Sequence, residues 1–84
     1  MNPWDERYAQ EDYVYGKEPN EFLVSVQDKL ILGKTLCLAD GEGRNGVYLA
    51  KLGHDVLSVD ASIVGMEKTQ RLAKERQVSL RTLV

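Results

Sequence analysis

Cys37 is the chain's only cysteine, so no internal disulfide can form, and a reducing, cytoplasmic setting is the expectation. Long apolar runs are missing too. None approaches the roughly 18–20 residues that cross a bilayer, so no membrane contact is expected. The first residues are polar and acidic and lack the apolar stretch of a secretion signal. A basic excess is also absent. The 11 lysines and arginines face 13 aspartates and glutamates, for a net charge of −2. Nucleic-acid binders usually show the opposite balance, so no nucleic-acid partner is expected. Histidine occurs once, as His54, directly after a glycine that closes a helical pattern, which predicts an exposed ring and no general base.

What remains is an ordinary globular composition, 43% hydrophobic and 29% charged, on 84 residues, enough for one small domain with a thin core. The charge is uneven. Residues 1–21 hold Asp5, Glu6, Glu11, Asp12, Glu18 and Glu21 against Arg7 and Lys17. Residues 62–84 hold Lys68, Arg71, Lys74, Arg76 and Arg81 against Glu67 and Glu75. This reads as two solvated faces, or as docking between unlike ends within one chain or between two.

Four of the six aromatics, Trp4, Tyr8, Tyr13 and Tyr15, fall in the polar first segment. Trp4 and Tyr8 share a face at i, i+4 spacing if residues 4–8 are helical. Tyr13 to Gly16 reads as a loop or a short extended piece. Aromatics in such company cover an apolar body or a flat ligand ring. Pro19-Asn20-Glu21 opens a helix, capped by Glu18 or Asn20, with Phe22, Leu23, Val26 and Leu30 near one stripe and Gly33 as a left-handed end. Leu36 to Ala39 is short and evenly apolar, which predicts a strand covered on both faces in a parallel sheet.

Arg44 to Leu52 has a helical pattern, with Val47, Tyr48, Ala50 and Leu52 offering apolar surface and Gly53 closing it. His54 to Asp60 is a second strand, parallel to the first because only a helix separates them. Ser62 caps a third helix running to Arg76, with Ile63, Met66, Leu72 and Ala73 on its buried side. Val78 to Val84 begins a third strand. The fold class is α/β: a partial Rossmann-like three-layer sandwich of about three parallel strands with flanking helices.

Between the first strand and the following helix stands Gly41-Glu42-Gly43-Arg44-Asn45-Gly46, a literal G-x-G-x-x-G. Such a turn lets backbone approach a ligand and leads into a helix N-terminus. Asp60, 19 residues after Gly41, ends the next strand, where a carboxylate can accept from both ribose hydroxyls. Turn, helix, strand and acid together point to an adenosine-containing ligand. Asp40 and Glu42 lie in the turn, where their charge would repel a pyrophosphate and favour a sulfonium cation. That argues for S-adenosylmethionine over NAD. An NAD-binding fragment, or a non-catalytic oligomeric module keeping a relic motif, stays open.

Leu36 to Ala50, followed by Gly53-His54-Asp55-Val56 and Ser58-Val59-Asp60, resembles the first motifs of class I S-adenosylmethionine-dependent methyltransferases. The segments Trp4 to Tyr8 and Tyr13 to Asn20 are similar to the N-terminal part of the bacterial branch that includes tellurite-resistance and thiopurine methyltransferases. The resemblance implies that Gly41 and Gly43 pack under the methionine part of the cofactor, that Asp60 holds the ribose, and that Ala61 borders the adenine. It also implies that Tyr15 closes the methionine end and that Asp40 assists. Cys37 stands where many members have an acid, and Ala39 where many have glycine. A buried Cys37 reads as a small apolar core residue, not as a nucleophile.

The resemblance implies a seven-stranded sheet, of which about three strands are here. The 84 residues then form the N-terminal part of a methyltransferase domain, with an aromatic segment and helix over 1–33 and the cofactor-binding portion over 34–84. No catalytic residue and no metal ligand is assigned. The acceptor is an unknown small molecule, and the parent domain, not this stretch alone, is the enzyme. A three-stranded sheet leaves an open edge, which predicts a homo-oligomer formed through that edge or through apolar helix faces.

Overall fold

The computed structural model describes residues 2–38 and 40–84. Its elements run α1 (Pro3–Tyr8), α2 (Glu21–Val26), a 3₁₀ turn (Gln27–Lys29), β1 (Lys34–Leu38), α3 (Arg44–Lys51), β2 (Asp55–Val59), α4 (Ile63–Glu75) and β3 (Arg81–Leu83). The three strands form one parallel sheet in the order β1-β2-β3. Ala39, expected to end the first strand, lies outside the described residues. No described helix is long and apolar enough to cross a membrane.

Three of the α-helices begin where the sequence supplies a side-chain acceptor, whereas α3 starts after Gly43 without one. Asn2 caps α1 by accepting from the Asp5 N–H, Asn20 caps α2 by accepting from Phe22 and Leu23, and Ser62 caps α4 by accepting from Gly65. The helix after Pro19 ends at Val26, short of its predicted length, and Gly33 is not left-handed. The chain instead bends at Gly33, whose carbonyl accepts from the Asp55 N–H at 2.9 Å and starts the parallel ladder. The stripe of that helix therefore stays largely uncovered, with Phe22 and Leu30 exposed.

Burial alternates along the sheet. Val56 and Ser58 of β2 are buried under α3 and α4, and Thr35 and Cys37 beside them are half-buried. Val47, Leu72 and Ala73 form the centre of the core, with Tyr13, Val78 and Leu80 packed against it. The other face carries Leu36 opposite Leu57, and Leu38 opposite Val59, which in turn stands opposite Leu83. The expected cover on both faces of the first strand is not found: Leu36 is 57% and Leu38 is 71% exposed. Two of the three expected layers are present among the described residues, because the helices that follow β1 and β2 both return over the same face.

Three further expectations change. Ile63 is exposed, on the side of the first turn of α4 away from the buried Gly65 and Met66, whereas Met66, Leu72 and Ala73 are buried as expected. Leu49, not Ala50, is the buried residue in the second half of α3. His54 is 7% exposed: its backbone N–H bonds back to the Leu49 carbonyl of α3, and its Nδ1 is buried without a partner among the described residues. The unlike ends of the chain do meet in places. Lys17 pairs with Glu75 at 3.0 Å, and Arg76 approaches Glu18 at 3.7 Å. Both are surface pairs that contribute little to stability.

Two contacts fix α1 and the glycine turn against α4. The Ser62 hydroxyl donates to Asp5 Oδ1 at 2.5 Å, and the Val64 N–H reaches the same oxygen at 3.3 Å. The Ser62 bond holds the Asp5 carboxyl below its ordinary value of 3.8, against burial, which pushes it up, with the Val64 bond helping. Such a group stabilises the fold above the ordinary value, and its contribution is lost as pH falls through the lowered one. Asp5→Asn is therefore expected to flatten the acid limb of the stability curve, read as the thermal midpoint by circular dichroism on lowering the pH. Gly65 is the second contact, because a Cβ there would stand 2.6 Å from the Gly41 carbonyl oxygen and 3.1 Å from the Tyr8 ring. Gly65→Ala improves helix propensity by about 0.8–1 kcal/mol. It is still expected to lower stability by about 1–3 kcal/mol in urea unfolding, because the backbone of the turn cannot yield.

Candidate cofactor site

The turn after β1 closes with the Gly43 N–H bonded to the Asp40 carbonyl at 3.0 Å. Gly41 and Gly43 have φ of +62° and +88°, a region that disfavours residues with a Cβ. At Gly41 a side chain would also meet the Tyr8 hydroxyl at 2.7 Å. At Gly43 it would run into the Thr69 side chain, so this glycine serves the seating of α4. Gly46 lets α3 close on the Asp40 carboxylate, which a Cβ would overlap.

Asp60 joins the two ends of the site. Its Oδ2 accepts the Gly41 N–H at 2.8 Å, and its Oδ1 accepts the Ser62 N–H at 3.0 Å. A carboxylate has about four acceptor positions, so two bonds leave capacity for a ligand. Asp60 and Ala61 lie at the base of a cleft of about 630 Å³, with Val59 and Val84 beside them. Trp4, Tyr8 and Tyr15 form its wall. That volume is within the usual range for a small-molecule site. Trp4 and Tyr8 stack at 5.6 Å with 27° between their planes, an outcome of their i, i+4 spacing. Arg7 lies over both Trp4 (5.2 Å) and Tyr15 (5.5 Å), and Arg44 lies 5.8 Å from the Tyr15 ring.

The first-segment aromatics thus divide. Tyr13 packs on the core, whereas Trp4, Tyr8 and Tyr15 face the cleft. Of the residues singled out from the sequence, Tyr15, Asp60 and Ala61 line the cleft, and Gly41 reaches it through Asp60 and Tyr8. Gly43 faces Thr69, and Asp40 turns inward. The Ser58 hydroxyl donates to Asp40 Oδ2 at 2.6 Å, and the Gly46 N–H approaches Oδ1 at 3.4 Å. Burial pushes the Asp40 carboxyl up, aided by the charge of Asp60 and opposed by those two bonds. Burial, with the charge of Asp40, likewise raises the Cys37 thiol to about 11, so it is a poor nucleophile at neutral pH.

The electrostatic case read from the sequence loses one of its two acids. Glu42 points away from the cleft and pairs with Lys68 at 2.6 Å, both buried. Lys68 meets much of its charge where it stands, although that charge still reaches Tyr8, whose hydroxyl is raised by burial, then by Asp60 and by Glu42. Lys68 gave no signal in the sequence, because it lies 26 residues from Glu42 and reads as one more base on a helix. Trp4 and Tyr8 were legible as a pair, but their place beside Asp60 was not.

No curated protein sequence matches the chain. Among solved structures, one reported as "Conversion of a Disulfide Bond into a Thioacetal Group during Echinomycin Biosynthesis" superposes with a TM-score of 0.81 at 26% identity, over 96% of this chain and 37% of that one. The PH0226 protein from Pyrococcus horikoshii OT3 matches with a TM-score of 0.63 at 30% identity, over 73% of this chain and 27% of that one. TehB from Haemophilus influenzae matches with a TM-score of 0.70 at 22% identity, over 96% of this chain and 26% of that one, a likeness of fold. The chain therefore spans little more than a third, or less, of each of these neighbours. A family model described as tellurite resistance protein TehB matches residues 2–84. With that match over nearly every residue, and with the Rossmann-like α/β arrangement shared with solved relatives, the chain belongs to the tellurite resistance protein TehB family.

Proposed function

We propose that the chain binds S-adenosylmethionine and is the cofactor-holding part of a small-molecule methyltransferase. One observation carries this reading. In a TehB-family chain, the acid at the end of β2 is bonded to the first glycine of the turn at the base of an aromatic-walled cleft. The residues present fit the group. Asp60 keeps acceptor capacity for ribose hydroxyls, and Ala61 leaves room for a flat base beside Val59 and Val84. Gly41, itself buried, lets Tyr8 close on the turn where a side chain would collide with its hydroxyl.

When bound, S-adenosylmethionine supplies a methyl group on a sulfonium, which a nucleophilic acceptor takes by in-line displacement. The chain's own part is to bind and orient. Asp60 fixes the sugar, the stacked Trp4 and Tyr8 give the ring an apolar wall, and Tyr15 covers the end near the glycine turn and excludes water. Positioning of this kind is a large share of the catalysis in a two-reactant displacement. No residue of the chain is given a catalytic role, since His54 is buried and does not line the cleft. The acceptor is a small molecule.

A second role is favoured by the bare sheet face. Leu36 and Leu38 on β1, with Phe22, Ile31 and Leu32 nearby in the chain, leave an open parallel edge and apolar surface. Unpaired edges recruit partners, and we take a homo-oligomer to be the chain's form in isolation, in a cytoplasmic setting.

Titration calorimetry with S-adenosylhomocysteine tests the first reading. The chain is expected to bind, and Asp60→Asn is expected to weaken binding by at least about tenfold, one lost charge-assisted bond being worth about 1.5–3 kcal/mol. Binding that is unaffected by this change removes Asp60 from the site. NADH fluorescence is expected to stay constant on mixing, and a rise with saturation would move the assignment to a dinucleotide. Sedimentation velocity tests the second. The chain is expected to run as an oligomer and Leu36→Lys/Leu38→Lys as a monomer, whereas a monomeric wild-type chain refutes self-association.

A further inference from the structure

Glu42 occupies the middle of the turn, between Gly41 and Gly43. Its backbone belongs to the turn that Asp60 ties to the cleft, while its side chain runs into the molecule, where the residue is 5% exposed. One carboxylate oxygen accepts the Val14 N–H at 2.6 Å, and the other takes Lys68 Nζ at 2.6 Å. Lys68 donates again from Nζ to the Asp12 carbonyl at 2.6 Å and stands 4.9 Å over the Tyr13 ring. The Tyr13 hydroxyl returns a bond to the Lys68 carbonyl at 3.0 Å. Residues 12, 13 and 14 are thus each held by this one pair. The next residue is Tyr15, on the wall of the cleft, and the chain turns back at once through the Gly16 N–H bonded to the Tyr13 carbonyl at 3.0 Å.

A buried ion pair is weak evidence for stability, because apolar residues of similar volume often serve as well. Apolar residues cannot bind a loop's N–H and C=O groups. Residues 9–20 contain no helix or strand to satisfy their own backbone, and buried backbone groups need partners. Glu42 and Lys68 supply these partners at Val14 and Asp12. The pair therefore specifies where this segment lies, one residue from the cleft, without either side chain lining the cleft.

We propose that Glu42 and Lys68 are positioning residues that latch the Asp12–Val14 segment to the glycine turn and so set Tyr15 over the cofactor cleft. This rests on the cofactor reading above. It also makes the coupling reciprocal: a ligand seated on the turn steadies Glu42, and through it the segment that carries Tyr15.

The test is a double variant, Glu42→Leu/Lys68→Met, which replaces the two ions by apolar groups and keeps the packing. Its fold is expected to persist by far-ultraviolet circular dichroism with a lowered thermal midpoint, because the Val14 N–H and the Asp12 carbonyl lose their partners. Hydrogen exchange at the Val14 amide is expected to quicken about tenfold or more. The dissociation constant for S-adenosylhomocysteine is expected to rise about tenfold, through loss of a preorganised wall. Emission from Trp4, the chain's only tryptophan and a cleft residue, reports the same loosening. Glu42→Gln/Lys68→Met restores an acceptor for Val14 and is expected to recover much of the protection and affinity. An unchanged dissociation constant with an unprotected Val14 overturns the proposal, as does unchanged Val14 exchange in the double variant. Should the double variant fail to fold, the wild-type chain decides: bound S-adenosylhomocysteine is expected to slow Val14 exchange, and binding without slowing overturns the latch. A wild-type chain that binds no S-adenosylhomocysteine refutes the cofactor reading instead, and the latch is then judged by Val14 exchange and Trp4 emission in the double variant alone.

Discussion

The carboxylate of Asp60 ties the turn after one strand to the helix after the next. It accepts from Gly41 on one side and from Ser62 on the other, so β2, the glycine turn and the start of α4 move as one body. The arrangement depends on parallel pairing. Only when β1 and β2 run the same way, in the register that sets Leu38 against Val59, do the turn and Asp60 emerge at the same end of the sheet. Gly65 then lets α4 approach the Gly41 carbonyl, and Tyr8 closes over the same glycine. Asp5, bonded to Ser62, brings α1 and its aromatics to that end as well.

The molecule is unequal on its two faces. Under α3 and α4 the sheet has a tight, partly polar interior: Ser58, Ser62, Thr69 and Lys68 are all fully or nearly fully buried, and each is hydrogen-bonded. The opposite face and the β1 edge expose leucines that a stable arrangement in water covers. The contrast bears on how an 84-residue chain keeps a fold. A small domain buries a limited fraction of its surface, and here the polar contacts around the turn do much of the specifying, while one sheet face contributes little apolar burial.

Secondary structure was legible where the signal is local. Ser62 and Asn20 announced their helices, Gly53 announced the end of α3, and the spacing of Trp4 and Tyr8 announced a shared face, all because caps, left-handed glycines and i, i+4 neighbours act within a turn or two of chain. The errors lie where burial depends on a distant element. Leu36 and Leu38 look like a doubly covered strand, but what covers a strand is set by which face the crossover helices take. His54 looks exposed after a helix-ending glycine, yet it is buried, with its backbone N–H bonded to the Leu49 carbonyl of α3.

The amino-acid order alone determined the parallel α/β character, the glycine turn and the acid that follows the next strand, since each follows from short-range backbone preferences and a fixed spacing. The fate of the two acids in that turn was decided only by the tertiary structure. Asp40 and Glu42 read alike as charges at the mouth of a site, but the fold turns one toward Ser58 and the other toward Lys68. Glu42 meets a cation on a helix 26 residues away, whereas Asp40 meets only a neutral hydroxyl on β2, and no local pattern reveals either partner.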